Sequence, residues 1–194
     1  MAKARTVSRP PGATYALSDT GPLISAFQSD SFALLAQIFT EVHTSPTCLA
    51  ELINHGWEEE VRAVAPTLVV VNLTLSEQNR ALTIASHIVQ HADTNDPITE
   101  HHLGEAQVIA LALRPAHRSD VLLLDELAAR AIAKQMGVKL SGFPGVLLLA
   151  VQGELLSAEE LRKRLERCRE QGTHYGAAFI KQVYEMAKPM RRTQ

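Results

Sequence analysis

The chain of 194 residues has few cysteines, no long apolar run and no large excess of charge of either sign. Its two cysteines, Cys48 and Cys168, stand far apart, which argues against a disulfide framework or a zinc site and favours a reducing compartment. Apolar runs such as Val146 to Val151 are far too short to span a bilayer, and the first residues contain no apolar segment of a secretory signal. We therefore expect a cytoplasmic protein without a membrane partner.

The balance of charge gives no indication of a nucleic-acid partner, although a local basic rim can coexist with a nearly neutral total. There are 19 basic and 21 acidic residues, for a net charge of −2. A content of 46% hydrophobic and 21% charged residues is ordinary for a globular protein and excludes extended disorder. Because the chain shows neither repeats nor linkers, we predict a single domain at 14–188, with a flexible N-terminal tail at 1–13 and a C-terminal tail at 189–194.

Short apolar segments alternate with helical patterns along the chain. The predicted strands are residues 14–18, 41–45, 67–71, 121–124 and 138–140. Three hydroxyl residues are predicted to cap the helices that follow them: Ser45, Ser76 and Thr99. This repeated strand–helix order predicts an α/β fold with a parallel sheet that is covered on both faces.

Four carboxylates stand at or near the ends of these segments: Asp19, Glu51, Glu105 and Asp125. Ligands bind at the carboxyl ends of strands in open α/β sheets, so Asp19 and Asp125 would face each other if the first and fourth strands are neighbours. Glu51 and Glu105 lie on helices that could lean over the same crevice. Because clustered carboxylates are costly to bury without a cation, the pattern predicts a divalent metal site, and hard oxygen ligands favour Mg²⁺ or Mn²⁺ over zinc.

Each acid also has a simpler structural interpretation. Asp19 could cap the helix that begins near Pro22, and Asp125 could cap a helix beginning at Glu126. Glu51 could be an exposed helix residue, and Glu105 could be an acid in a first helical turn. The coincidence of all four acids favours the metal site over these separate roles.

Five segments occur in the order and spacing typical of a PIN domain: Ser18–Leu23, Pro46–Leu52, Leu103–Ala112, Leu122–Glu126 and Ala129–Ala150. The sequence resembles a prokaryotic branch of PIN-like proteins that is related to the ribonuclease toxins of toxin–antitoxin modules. This resemblance extends from about Tyr15 to Ala187, nearly the whole chain.

The resemblance implies a three-layer α/β/α fold with a five-stranded parallel sheet in the order 3-2-1-4-5. It also implies a nuclease that uses one or two Mg²⁺ or Mn²⁺ ions to cleave single-stranded RNA. The catalytic, metal-binding quartet would be Asp19, Glu51, Glu105 and Asp125, supported by the nearby residues Thr20 and Glu126. An antitoxin protein and a second copy of the chain are the protein partners that the resemblance implies.

Two other functions stay open at this stage. A PIN fold could serve as a binding module for an antitoxin or assembly partner with little or no nuclease activity. A metal-dependent phosphatase acting on small molecules would instead have a closed pocket rather than an open acidic groove.

Three further features are given structural interpretations. The basic segment Arg162–Arg169 alternates with acids at helical spacing, which predicts a solvated, salt-bridged face. The apolar stripe from Phe179 to Tyr184 is interpreted as core or dimer contact rather than as a base-stacking platform. His87, His91, His101 and His102 are interpreted as solvated helix or loop residues rather than metal ligands, and His102 is the better candidate among them to approach the site.

Overall fold

Five parallel strands form one sheet at the centre of the molecule, in the order β3-β2-β1-β4-β5, which confirms the predicted topology. The structure is a computed structural model, and it describes residues 10–188. The strands are β1 (Tyr15–Ser18), β2 (Glu41–Thr44), β3 (Leu68–Val70), β4 (Val121–Leu123) and β5 (Leu140–Ser141). The predicted C-terminal tail lies outside the described residues, as do residues 1–9 of the predicted N-terminal tail.

Helices connect the strands and cover the sheet. They are α1 (Thr20–Gln28), α2 (Phe32–Ile38), α3 (Pro46–Asn54), α4 (Glu58–Ala63), α5 (Leu75–Val89), α6 (Leu103–Ala112), α7 (Leu127–Gln135), α8 (Phe143–Gln152), α9 (Ala158–Glu170) and α10 (Ala177–Ala187). Within residues 10–188, none of these helices has both the length and the apolar content that a membrane span needs.

Successive residues of a strand point to opposite faces, and this alternation divides the core in two. Ala16 of β1 and Leu123 of β4 belong to a cluster that also includes apolar residues of α1, α2, α8, α9 and α10. Leu17 and Leu122 belong to a second cluster, formed with α5, α6 and α7. The sheet is therefore buried on both sides, which confirms the three-layer α/β/α arrangement.

The cap predictions were right at one position and wrong at two. Ser45 caps α3, because its hydroxyl accepts a hydrogen bond from the backbone N–H of Cys48. Helix α5 is capped by Thr74 rather than Ser76, since Thr74 and Glu77 form a reciprocal capping box. Thr99 makes no capping bond and instead begins a 3₁₀ turn that leads into α6.

Two elements near the sheet also differ from prediction. The fifth strand is Leu140–Ser141 rather than residues 138–140, because the left-handed Gly137 (φ +77°) and Val138 still belong to the turn that ends α7. Helix α4, in an acidic segment with no buried residue, was not predicted. Neither difference changes the sheet order.

The order of the strands places β1 directly beside β4, with Leu17 opposite Leu122 and Ser18 opposite Leu123. The backbone N–H of Asp19 continues this pairing by donating to the carbonyl of Leu123 at 3.0 Å. Strand β1 pairs with β2 along one of its edges and with β4 along the other, so the order of the strands reverses at β1. The carboxyl ends of β1 and β4 thus flank the position at which α/β sheets bind ligands.

Candidate metal centre

Asp19 follows β1 directly and caps helix α1. Its side chain is only 6% exposed, and Oδ2 accepts a long hydrogen bond of 3.5 Å from the backbone N–H of Gly21. Burial raises the pKa of Asp19 to about 6, and the charge of Glu51 adds to this rise. Asp19 therefore caps α1, as one of its two interpretations predicted. Capping alone does not explain why its carboxylate lies near that of Glu51.

Glu51 reaches this carboxylate from helix α3. Its Oε2 accepts a hydrogen bond of 2.5 Å from the hydroxyl of Thr20, the residue that follows Asp19. Helix α6 packs closely above it: a Cβ atom added to Gly104 would lie 3.0 Å from Oε1 of Glu51. The interpretation of Glu51 as an exposed helix residue is therefore wrong, because its carboxylate is half-buried and oriented by Thr20.

Glu105 lies in the first turn of α6, next to Gly104. Burial raises the pKa of Glu105 to about 9, and the negative charges of Asp19, Glu51 and Glu126 contribute to this rise. Four carboxylates therefore interact electrostatically here, and Glu105 is protonated at neutral pH in the absence of a cation. Burial and the neighbouring acids thus both favour the protonated form of Glu105, and a bound cation would oppose them.

Cys48 is a member of the site that the sequence analysis missed. It precedes Glu51 by about one helical turn, its Sγ lies 3.5 Å from Oδ1 of Asp19, and the ligand atoms of Asp19, Cys48 and Glu51 all lie within 4.8 Å of one another. Burial, followed by the charge of Asp19, raises the pKa of the Cys48 thiol above its ordinary value. Cys48 therefore remains a thiol, and the atoms that carry charge are all carboxylate oxygens.

The Asp125 carboxylate has different hydrogen-bond partners. Its Oδ2 accepts a bond of 3.1 Å from the hydroxyl of Tyr175, and its Oδ1 accepts one of 3.2 Å from the backbone N–H of Phe143. Burial raises the pKa of Asp125, while these two bonds and the charge of Arg130 oppose the rise. Asp125 does not cap helix α7, since that role belongs to the Glu126 side chain, which accepts from the N–H of Ala129.

The structure thus brings together two members of the predicted quartet, Asp19 and Glu51, and a third, Glu105, is close enough for their charges to raise its pKa. Thr20 bonds directly to one of them, and the charge of Glu126 acts on another. Asp125 follows the neighbouring strand, but its hydrogen bonds turn its carboxylate toward Tyr175 and Phe143. The assignment of catalytic and metal-binding roles to the four acids remains a prediction.

Of the four histidines, His102 differs from its predicted environment. It is 5% exposed rather than solvated, and its Nε2 lies 3.0 Å from the backbone carbonyl of Asp96. This hydrogen bond therefore holds the His102 ring against the loop before α6.

The predicted solvated face of α9 is confirmed, since Arg162 forms ion pairs with Glu159 and Glu166.

The comparisons with known proteins agree with this geometry. A family model described as a PIN domain matches residues 15–189, which is most of the chain. The chain therefore belongs to the PIN-domain family, whose members are generally nucleases and typically use divalent metal ions. A search among curated proteins finds no relative that matches the sequence.

The donor set fits a divalent cation of the kind that PIN domains use. Asp19, Glu51 and Glu105 carry hard oxygen atoms on three different elements, and burial together with neighbouring negative charge raises the pKa values of Asp19 and Glu105. The Sγ atom of Cys48 belongs to the same group, within 4.8 Å of ligand atoms of Asp19 and Glu51.

Proposed function

We propose that this protein is a metal-dependent endoribonuclease that cleaves phosphodiester bonds of single-stranded RNA. The observation that carries the proposal is the grouping of the Asp19 and Glu51 carboxyl groups at the carboxyl end of β1, with Glu105 near enough for their charges to raise its pKa. Membership of a family of nucleases supports the reaction class. RNA as the substrate is our inference from the resemblance of the motifs to ribonuclease toxins.

Asp19, Glu51 and Glu105 would hold the Mg²⁺ or Mn²⁺ ion. When bound, such an ion activates a water molecule and stabilises the charge that develops on the phosphate. Thr20 fixes the orientation of the Glu51 carboxylate by donating its hydroxyl hydrogen to Oε2. Asp125 is held by Tyr175 on the side of β4, from which it would contact the RNA.

The decisive experiment compares RNA cleavage by the wild type and by Asp19→Asn in Mn²⁺ and in EDTA. Asn caps helices about as well as Asp, so the variant keeps α1 capped and loses only the charge. We expect the wild type to cleave single-stranded RNA in Mn²⁺ only, and Asp19→Asn to be inactive under both conditions. Asp93→Asn, at an exposed loop position, is the matched control and should cleave like the wild type.

Cleavage that persists in EDTA, or in the Asp19→Asn variant, would refute the proposal. A folded wild type that binds Mn²⁺ but leaves RNA intact would favour the second candidate, a binding module. One observation supports that candidate: the Asp125 carboxylate is engaged by Tyr175 and Phe143 rather than by the other acids.

The biological role that we propose is that of the toxin in a toxin–antitoxin module, where an antitoxin protein blocks the RNA-cleaving site. Induced expression of the wild type should then arrest growth, whereas Asp19→Asn should not. Growth arrest that is equal for both would separate toxicity from the acidic site and contradict this role. RNA cleavage in vitro without growth arrest would support the nuclease activity and contradict the role as a toxin.

A further inference from the structure

A groove of about 690 Å³ begins at Asp125 and runs along the outer edge of the sheet. Strand β5, the start of α8 and helix α10 form its walls. Most of its lining is apolar and includes Leu148, Phe179 and Met186, whereas Arg130 and His174 are its basic residues. The groove therefore joins an apolar surface to one of the four predicted catalytic acids.

Arg130 is placed at the acidic end of this groove. Its Nη1 donates to the carbonyls of Leu124, at 2.5 Å, and of Ser141, at 2.9 Å, so the ends of β4 and β5 fix the guanidinium. Gly142 lies between Arg130 and Asp125, because a Cβ atom there would meet Oδ1 of Asp125 and would lie 3.5 Å from Nη1. A fixed guanidinium beside an acidic site is suited to a phosphate group.

Phe179 supplies an aromatic surface farther along the groove. It is 41% exposed on α10, and its ring lies 5.8 Å from that of Tyr175, which is itself held by Asp125 and Ser25. The members of the stripe predicted from the sequence thus differ: Ile180 is buried in the core, Val183 is buried and also borders the groove, and Phe179 is exposed to it. A supported, exposed ring can stack on a nucleobase of any identity.

We propose that this groove binds a nucleotide of single-stranded RNA next to the scissile phosphate, with a phosphate at Arg130 and a base against Phe179. Two features favour RNA as the occupant: the guanidinium of Arg130 stands beside Asp125, whose charge alone would repel a polyanion, and the groove is continuous with this predicted catalytic acid. This inference rests on the proposed nuclease function and adds a substrate subsite to it.

The test measures binding of a short, fluorescently labelled, single-stranded RNA of mixed sequence by anisotropy, with EDTA present so that binding is separated from cleavage. Loss of a base-stacking ring should weaken binding by roughly five- to a hundredfold, so we expect Phe179→Ala to raise the Kd at least fivefold. Arg130→Gln should also raise the Kd and should make binding less sensitive to salt.

Two control variants remove similar groups elsewhere. Leu149→Ala deletes an exposed apolar side chain of α8 that lies outside the groove, and Arg118→Gln removes an exposed arginine near the opposite end of β4. Both should bind RNA within about twofold of the wild type, which is well below the effect of losing a stacked base. Arg130→Gln could loosen the ends of β4 and β5, so Phe179→Ala, a change at an exposed helix position, is the decisive variant.

Equal binding by wild type, Phe179→Ala and Leu149→Ala would overturn the subsite, as would the absence of RNA binding by the wild type in EDTA. If only the nuclease function is wrong, the result differs: RNA binding in EDTA would still depend on Phe179, but the wild type would not cleave RNA in Mn²⁺. If Phe179→Ala instead converted a dimer to a monomer and left RNA binding unchanged, the groove would be a contact with a second copy of the chain, and the proposal would be wrong.

Discussion

Replacement of Glu105 by Gln should stabilise the metal-free protein. Glu105 is half-buried near Asp19, Glu51 and Glu126, and its pKa is raised to about 9. At pH 7.5 it must therefore take up a proton on folding, although it is ionised in the unfolded chain. Gln has nearly the same shape as the protonated acid, and it removes this cost.

The size of the effect follows from the difference in pKa. Three pH units separate an ordinary glutamate pKa of 4.5 from pH 7.5, and each unit corresponds to about 1.4 kcal/mol. The upper limit is thus close to 4 kcal/mol, and because the neighbouring acids share protons with Glu105 we expect a gain of roughly 2–4 kcal/mol.

The assay is a denaturant midpoint measured in EDTA at pH 7.5 and again at pH 4, with the same measurements in Mn²⁺. The gain from Glu105→Gln should be large at pH 7.5 and close to zero at pH 4, where the acid is protonated in both states. Mn²⁺ should raise the midpoint of the wild type and have less effect on the variant, because one ligand is lost. Glu100→Gln, at an exposed position, is the control and should change little at either pH.

A midpoint for Glu105→Gln that is unchanged or lower at pH 7.5 in EDTA would refute the reasoning. It would mean that Glu105 is ionised and satisfied in the metal-free protein, so that the three acids do not form a strained cluster. A gain of equal size at pH 4 would also contradict the argument, because the benefit would then come from packing and not from charge.

Three further predictions use the same denaturation measurement. Because the pKa values of Asp19 and Glu105 are raised in the folded state, to about 6 and about 9, these two acids should destabilise the metal-free protein increasingly as the pH rises from about 4 to about 9. The gain in stability of the double variant Asp19→Asn/Glu105→Gln should therefore grow over this range, and a constant gain would contradict the shifts. Tyr175→Phe removes a bond to the buried Asp125 carboxylate and should cost about 1–3 kcal/mol, and a cost near zero would indicate that water replaces the hydroxyl. Thr74→Ala should cost about 1 kcal/mol through loss of the capping box, whereas Ser76→Ala should cost little; the reverse result would place the cap where the sequence pattern put it.

The strands of the sheet could be predicted from the sequence because they are short apolar runs bounded by turn-forming residues. The β-branched run around Val69 predicts a strand, and the Ser45–Pro46 pair predicts the start of a helix, because both are patterns of adjacent residues. The strand order required the family resemblance, because nothing in the local pattern of β1 states that it pairs with β4. Helix α4 was missed because it is only six residues long and none of them is fully buried, although Val61 packs against the core.

Asp19 and Asp125 were identifiable because each directly follows a strand, whereas Glu51 and Glu105 lie within helices and were assigned by the family resemblance. The partners of Asp125 could not be predicted. Tyr175 is 50 residues away from Asp125 in the chain, and no local sequence pattern predicts a hydrogen bond over that separation. Cys48 could have been found, since a residue one helical turn before Glu51 shares its face. The role of Gly104 depends on how closely α6 approaches α3, which is a property of packing and not of sequence pattern.

The acidic cluster combines residues that are distant in the chain, and this has a kinetic consequence. Thr20 and Glu51 are 31 residues apart, and Glu105 comes from a helix that follows three strands of the sheet. Such a site is complete only when the crossovers around β1 have formed, which is slow for parallel sheets. An ion that binds only after these contacts exist lengthens the lifetime of the folded chain and leaves the rate of its formation nearly unchanged.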